Sequence, residues 1–279
     1  MPIDLHTHSN ESDGSYSVED LVAFAVQQGL TALGLTDHDT TAGLERFVRA
    51  AQAQGITPFP GVEISAEWKS GNCHIVGYGV SPGYALLEKM LQETRDSRDF
   101  RNERIICKLN EAGVDISLEE VSSLAGGDVV SRPHMARKML EKGYVASVQE
   151  AFDTYLAKGA LGYVDRFRLE PNKAVELLCE VGATVVLAHP SQCRLEPEDL
   201  KKFVKQLTDA GLGGIEVYTP YTSDSQLPQY MDIAKAFDIT ITGGSDFHGA
   251  SKPTHKLGYY RDNTLIPDSC SEGLLKISA

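Results

Sequence analysis

Histidines and acids gather at the ends of the apolar segments of this sequence. His6 and His8 stand two residues apart at the end of the first apolar run, with Asp13 just beyond, in a chain that holds only eight histidines. In an extended strand, residues two apart project to one side, so these two imidazoles point together while Leu5 and Thr7 face away. Two imidazoles converging on one point suit a divalent metal. His38 in LTDHDT, Glu63 in PGVEIS, His189 in VVLAHPS and Asp246 with His248 in TGGSDFHG close further runs, and His74 opens one in NCHIVGYG. Taken singly, each has an ordinary alternative as a helix cap, a turn residue or a satisfied core histidine. Their recurrence at five run ends does not, because charged groups at the mouth of a core must be paired or coordinate metal.

The elements that must position these residues follow from the pattern. Short runs rich in β-branched residues alternate with longer amphipathic stretches, as in parallel strands joined by helices. Strands are predicted over 2–7, 31–37, 57–63, 74–79, 183–188, 213–218 and 239–244. Ser17-Val18-Glu19-Asp20 is a capping box for a helix to about Gln28, stopped by Gly29. Further helices are predicted over 41–54, 171–181, 197–210 and 225–237, with Pro171 in a first turn. The repeated βα order predicts a closed or nearly closed barrel. The candidate residues then fall where barrel strands finish, the face that carries function in such folds. His74 is the exception, and requires its strand to be short or displaced.

Between the fourth and fifth strands, residues 84–165 read as helices only and are too long for a loop. Ser117-Leu118-Glu119-Glu120 and Ser147-Val148-Gln149-Glu150 are capping boxes, and Met135, Met139 and Leu140 have helical spacing. The predicted organisation is a barrel built from residues 1–83 and 166–279, with 84–165 as a helical cap inserted over one end. Arg95, Arg98, Arg101 and Arg104 recur every three residues and span about half the helix surface. They read as a solvated face, with a resting place for a second phosphate or a short RNA tail as the alternative.

A net charge of −13 disfavours a surface that grips long nucleic acid through many phosphate contacts. The five cysteines are scattered and lack CxxC spacing, so a reducing compartment and no disulfide framework are expected. No signal peptide or membrane span is legible, so a cytoplasmic, membrane-independent protein is expected. No GxSxG nucleophile elbow occurs. Oligomeric state has no legible signal.

The set HTH, Asp13, TDHD, GVE, His74, AHP and SDFH resembles the polymerase and histidinol phosphatase (PHP) family of metal-dependent phosphoesterases. That family is built on a distorted (β/α)7 barrel of TIM-like α/β class. The resemblance runs from residue 2 to about 250 and includes all nine positions the family uses for metal. It implies one ion held by His6, His8, Glu63 and Asp246, a second bridged by Glu63 to His74 and His189, and a third held by Asp13, His38 and His248. Two or three divalent ions are implied. Mn²⁺ is the first choice, with Fe²⁺ or Zn²⁺ as alternatives, since mixed nitrogen and oxygen ligands do not select among them. Three ions would turn the site of an acidic protein to about +3 and attract an anion. The implied chemistry is hydrolysis by a metal-activated water, without a protein nucleophile.

The segment VVSRPHMARKML places Ser131, Arg132 and His134 at a predicted helix start, where free N–H groups and the dipole favour an anion. An N-cap serine, a solvated arginine and a surface histidine are the ordinary alternative. With YLAKGALGYV, this segment resembles a subgroup of the family that includes a 3′,5′-nucleotide bisphosphate phosphatase and a 5′-to-3′ exoribonuclease of short 5′-phosphorylated RNA. The resemblance implies substrate-side roles for Ser131, Arg132 and His134, with Lys158 a weaker candidate; His134 is also a candidate general acid, with a metal-bound water as the alternative. Small phosphorylated nucleotides, such as adenosine 3′,5′-bisphosphate yielding AMP, or short RNA are the implied substrates. Histidinol-phosphate hydrolysis is one alternative, and a non-catalytic metal-binding module like those attached to DNA polymerases is another.

Overall fold

A computed structural model describes residues 1–69, 71–81, 83–125, 130–165 and 167–277. The apolar runs become β1 (Ile3–Asp4), β2 (Ala32–Leu35), β3 (Thr57–Ala66), β4 (Cys73–Tyr78), β5 (Thr184–Ala188), β6 (Gly214–Tyr218) and β7 (Thr240–Gly243), neighbours in that order in one sheet. The helices are α1 (Val18–Gln27), α2 (Leu44–Ala53), α3 (Ala85–Glu111), α4 (Leu118–Ala125), α5 (Arg132–Glu141), α6 (Val148–Ala151), α7 (Pro171–Glu180), α8 (Pro197–Asp209), α9 (Gln226–Phe237) and α10 (Ser269–Ile277). Local rules set their starts: Ser17 accepts the Asp20 N–H at 3.1 Å, and prolines open α7 and α8. Among the described residues, no helix is long and apolar enough to cross a membrane.

The chain forms two compact units, residues 1–91 with 168–279, and residues 92–167. In the first, the seven strands make a nearly closed barrel with helices outside. Leu21 and Val22 of α1, Phe47 of α2, Leu178 of α7 and Val204 and Leu207 of α8 are buried with Leu33, Leu35, Ile64, Ile75, Leu187 and Ile215 of the strands. Each large side chain so buried contributes about 1.5–3 kcal/mol. The ladder of β1 is only two residues long, yet the barrel seam is tied further on. Thr7 bridges Phe247, and the His8 N–H donates to the Phe247 carbonyl at 2.9 Å. Behind them Asp4 accepts the Ser245 N–H at 3.0 Å, the Ser245 hydroxyl at 2.5 Å and the Gly258 N–H at 2.8 Å. After the barrel come a hairpin, β8 (Tyr259–Arg261) and β9 (Thr264–Leu265), and α10. Tyr260, Ile266 and Cys270 of this unexpected tail are buried with Ile3, Leu5 and Val186.

The expectation of uniformly parallel strands fails at β4. It runs antiparallel to both β3 and β5. Only residues 67–72 separate it from β3, whereas a parallel crossover needs a dozen residues or more.

The second unit has its own core, with Ile105, Leu109, Val121, Met135, Met139 and Leu156 buried together. Ser117 and Glu120 exchange hydrogen bonds at 2.8 and 3.1 Å at the start of α4. The arginine series is not a solvated face: Arg98 and Arg101 are buried, and only Arg104 is exposed while Arg95 is half-buried. A buried guanidinium needs acceptors, and Arg101 donates from Nη2 to Asn102 Oδ1 at 2.7 Å.

Candidate metal centre

One rim of the barrel collects the predicted ligands. His6 and His8 follow β1, Asp13 lies in the turn beyond, and His38 follows β2. Glu63 lies within β3, His189 directly follows β5, and Asp246 and His248 follow β7. The reversal of β4 resolves the exception. Because that strand runs the other way, its start lies at the rim, with His74 in register with Ser65 and Ala188.

Glu63, fully buried, is the hub. Its Oε1 is 2.9 Å from His74 Nδ1 and 2.9 Å from His189 Nε2. Its Oε2 is 3.3 Å from both His6 Nε2 and His8 Nε2, and 3.0 Å from His38 Nδ1. Asp246 Oδ1 lies 3.2 Å from His8 Nε2 and 3.6 Å from His6 Nε2. Asp13 Oδ1 lies 3.1 Å from His248 Nε2, and its Oδ2 lies 3.8 Å from His38 Nε2. Three overlapping groups result: His6, His8, Glu63 and Asp246; His8, Asp13, His38 and His248; and His38, Glu63 and His74, each with ligand atoms within 4.8 Å of one another.

These atoms are close without being aligned for protons. Among the described residues, His8 Nδ1, His38 Nδ1, Glu63 Oε2, His189 Nδ1 and His248 Nε2 are buried without a hydrogen-bond partner. An orphaned buried polar atom costs about 1–3 kcal/mol. His6 Nδ1 sits 3.0 Å from Glu216 Oε1, which turns its Nε2 lone pair toward His8 Nε2, 3.1 Å away. Lone pairs converging on shared points, from nitrogen and oxygen donors without thiol, fit divalent ions.

Electrostatics keep the carboxylates charged and divide the histidines. Burial raises the Glu63 pKa, but the surrounding His38, His6 and His74 outweigh it and hold the carboxyl well below its usual range. Burial likewise opposes charge on Asp13 and Asp246, and His38 with His248, or Lys252 with His248, keep them ionised. Burial lowers His74 to about 4, and burial with repulsion from His248 and His38 lowers His8 to about 4, so both are neutral donors. His38 is raised to about 9, its burial overcome by Glu63 and Asp13.

Supporting residues fix this geometry, and no sequence pattern announced them. Glu216 Oε2 accepts the backbone N–H of His189 at 2.8 Å while its Oε1 holds the His6 ring, so one buried carboxylate orients one imidazole and anchors the main chain that carries another. Asp37 accepts from Ser9 Oγ and Ser12 Oγ, both at 2.6 Å, and pins the turn carrying Asp13. Gly244 backs His6 so closely that a Cβ there would lie 2.1 Å from the His6 Cβ. Lys252 Nζ lies 2.7 Å from Asp246 Oδ2, and the Tyr221 hydroxyl donates to the same oxygen at 2.5 Å. His255, the one histidine without an assignment from sequence, places Nδ1 2.9 Å from the Asp246 carbonyl. His189 and Asp246 adopt φ of 27° and 51°, strained for non-glycine residues and concentrated where side chains must be aimed.

The substrate-side candidates belong to the second unit. Ser131 and His134 pair with each other at the start of α5, the Ser131 N–H donating to His134 Nδ1 at 3.3 Å. Arg132 Nη1 donates to the Leu156 carbonyl at 3.0 Å and its Cζ lies 6.0 Å from the Tyr163 ring centre. Lys158 is exposed.

Comparison with known proteins gives a consistent result. The profile of the PHP domain family matches residues 4–210. The 5′-3′ exoribonuclease Rnm of Escherichia coli is 33% identical over 88% of this chain and 84% of its own length. The 3′,5′-nucleoside bisphosphate phosphatase of Chromobacterium violaceum is 30% identical over 96% of this chain and 93% of its own. A solved structure from Chromobacterium violaceum, described as an amidohydrolase with bound sulfate and no metal, superposes with a TM-score of 0.84 at 29% identity, covering 99% of this chain and 97% of that one.

Proposed function

Since the chain belongs to the PHP domain family, and is thereby a metal-dependent phosphoesterase, we propose that it breaks the bond between phosphorus and the 3′ oxygen of a 5′-phosphorylated nucleotide. Two substrates contain that bond. A nucleoside 3′,5′-bisphosphate would yield the 5′-monophosphate and phosphate, and a short 5′-phosphorylated RNA would yield a mononucleotide and a shortened RNA. The names of the two curated relatives support both.

The observation that carries the reading is the buried Glu63 hub with eight ligand-type side chains around it. His6, His8, Glu63 and Asp246 would hold one divalent ion, Glu63, His74 and His189 a second, and Asp13, His38 and His248 a third, with Mn²⁺ the metal proposed. Such ions supply positive charge to a phosphoryl group and lower the pKa of water. The protein's part is positional. Glu63 presents both oxygens, Glu216 fixes the His6 imidazole and the backbone of His189 from behind, and Tyr221 with Lys252 holds one oxygen of Asp246 so that the other faces the histidines. Lys252 also adds a permanent cation at the rim. The proposal extends to Ser131, Arg132, His134 and Lys158 as substrate-contacting residues, as the resemblance implies, and to His134 as a candidate proton donor to the leaving oxygen. All five cysteines are free, which supports a reducing compartment, the cytoplasm.

The test is phosphate release with added Mn²⁺ from adenosine 3′,5′-bisphosphate beside AMP, histidinol phosphate and a 5′-phosphorylated trinucleotide, with mononucleotides scored separately. Turnover of the bisphosphate or the trinucleotide, with little of the others, is expected. A preference for histidinol phosphate would overturn the substrate assignment and leave the metal centre standing.

A further inference from the structure

The two proposed substrates differ only beyond the cleaved phosphate. In the bisphosphate that phosphate ends in free oxygens, whereas in RNA one oxygen continues as O5′ of the next nucleoside. An enzyme that trims RNA needs a place for that nucleoside beside the metal centre.

The barrel unit has a cavity of about 530 Å³ there, walled by Pro220, His255, Lys256, Tyr259, Tyr260 and Arg261. Its volume falls within the range of small-molecule sites, roughly 300–1,000 Å³. His255 belongs to both places, since it lines the cavity and lies against the Asp246 carbonyl. Its ring meets Tyr221 edge-on at 5.2 Å, and Tyr221 meets His189 edge-on at 5.5 Å. Aromatic rings therefore run from a ligand histidine to the cavity wall without a break.

We propose that this cavity binds the nucleoside that follows the scissile phosphate in a short single-stranded RNA, a reading that rests on the function proposed above. Tyrosine rings suit the task because stacking on a base tolerates any sequence. Arg261 is committed elsewhere: it pairs with Asp224, donates to the Thr222 carbonyl at 2.9 Å and lies 5.4 Å from the centre of the Tyr260 ring, so it braces the wall. Lys256 is available to a phosphate. Its 3.6 Å approach to Asp262 joins side chains 58% and 94% exposed, and such a surface pair is worth little and exchanges readily.

The chemistry balances with the next nucleoside seated there. Water oxygen bonds to phosphorus, the bond from phosphorus to the 3′ oxygen breaks, and that oxygen takes a proton as the mononucleotide leaves. The phosphate stays on O5′ of the nucleoside in the cavity, which becomes a new 5′-phosphorylated end.

The experiment compares Tyr259→Ala and Lys256→Glu with the wild type, loaded with Mn²⁺, on a 5′-phosphorylated trinucleotide and on adenosine 3′,5′-bisphosphate. The KM for the trinucleotide should rise about tenfold or more in Tyr259→Ala, the size of a lost base stack. Lys256→Glu, at an exposed position that folding does not depend on, should raise it severalfold and flatten its salt dependence. Turnover of the bisphosphate should stay at the wild-type level in both. An unchanged trinucleotide KM in both variants, or equal losses on the two substrates, would overturn the assignment. Wild-type enzyme that hydrolyses the bisphosphate and leaves the trinucleotide intact overturns this inference alone, whereas turnover of neither overturns the reading beneath it.

Discussion

Lys252 and Asp246 divide the work of one carboxylate. Lys252 Nζ holds Oδ2 at 2.7 Å, while Oδ1 faces His8 at 3.2 Å, His248 at 3.5 Å and His6 at 3.6 Å. Removing the ammonium frees the carboxylate to rotate, since the Tyr221 hydroxyl alone then restrains Oδ2. Lys252→Ala should therefore lose about 10- to 100-fold in metal affinity, the usual cost of an outer partner, and Lys252→Arg should recover part of it. Metal content by mass spectrometry at limiting Mn²⁺ reads the effect directly. A full complement in Lys252→Ala would show that Asp246 needs no such restraint.

Chelation should destabilise the protein. Without cations the orphaned atoms of His8, His38, Glu63, His189 and His248 have no partner among the described residues. Ions that bind only the folded state at about 100 times their dissociation constant add roughly 2.7 kcal/mol. For a domain of this size that is a rise in Tm of about 5–10 °C. Calorimetry of chelated and Mn²⁺-loaded protein checks it, and coincident transitions would argue against a metal centre.

The barrel was largely legible in the sequence, because each strand is a short apolar run and several helices begin at a recognisable cap or first-turn proline such as Ser17 or Pro171. All nine clustered side chains were singled out in the sequence, seven at the ends of apolar runs, where histidine and acid are conspicuous, with Asp13 just beyond the first run and His74 at the start of another. The direction of β4 was not, because alternation of apolar residues carries no sense of direction. The short link over residues 67–72 was the available clue. Glu216, Asp4, Tyr221 and Lys252 were missed for a different reason. Each is a single polar residue whose meaning lies in a partner distant in the chain or around a turn, as Glu216 is 210 residues from His6. The arginine series misled because a three-residue spacing does not say whether acceptors wait at the buried positions Arg98 and Arg101.

Asp4 makes stability depend on pH. Burial raises its pKa from 3.8 to about 6, against the donors Gly258 and Ser245 that favour the ionised form. A folded-state pKa above the unfolded value means protonation favours folding. The contribution is thus complete below pH 3.8 and declines as pH rises through 6, by about 3 kcal/mol at 1.36 kcal/mol per unit. In chelated protein, the stability of wild type relative to Asp4→Asn should fall by that order between pH 3.5 and 7. Denaturant titrations across the range test it, and a constant difference would mean that Asp4 titrates normally.

Arg132→Ala should act on substrate choice. Loss of a hydrogen bond to a charged group costs about 1.5–3 kcal/mol, so the KM for adenosine 3′,5′-bisphosphate should rise at least tenfold while that for a singly phosphorylated ester changes little. Unchanged kinetics on the bisphosphate would remove Arg132 from the substrate site without touching the metal centre.

The barrel seam has a consequence for how the molecule assembles. His6 and His8 stand on one lip and Asp246 and His248 on the other, beside an Asp4–Ser245 contact that spans 241 residues of chain. A cation gripped by both lips would close a ring through most of the chain, and so would oppose unfolding as a covalent cross-link does, by restricting the open chain. Amide hydrogens of β1 and β7 would then be the first to exchange when the ions are stripped and the most slowed when they return, so that ring closure and chemical competence become a single event.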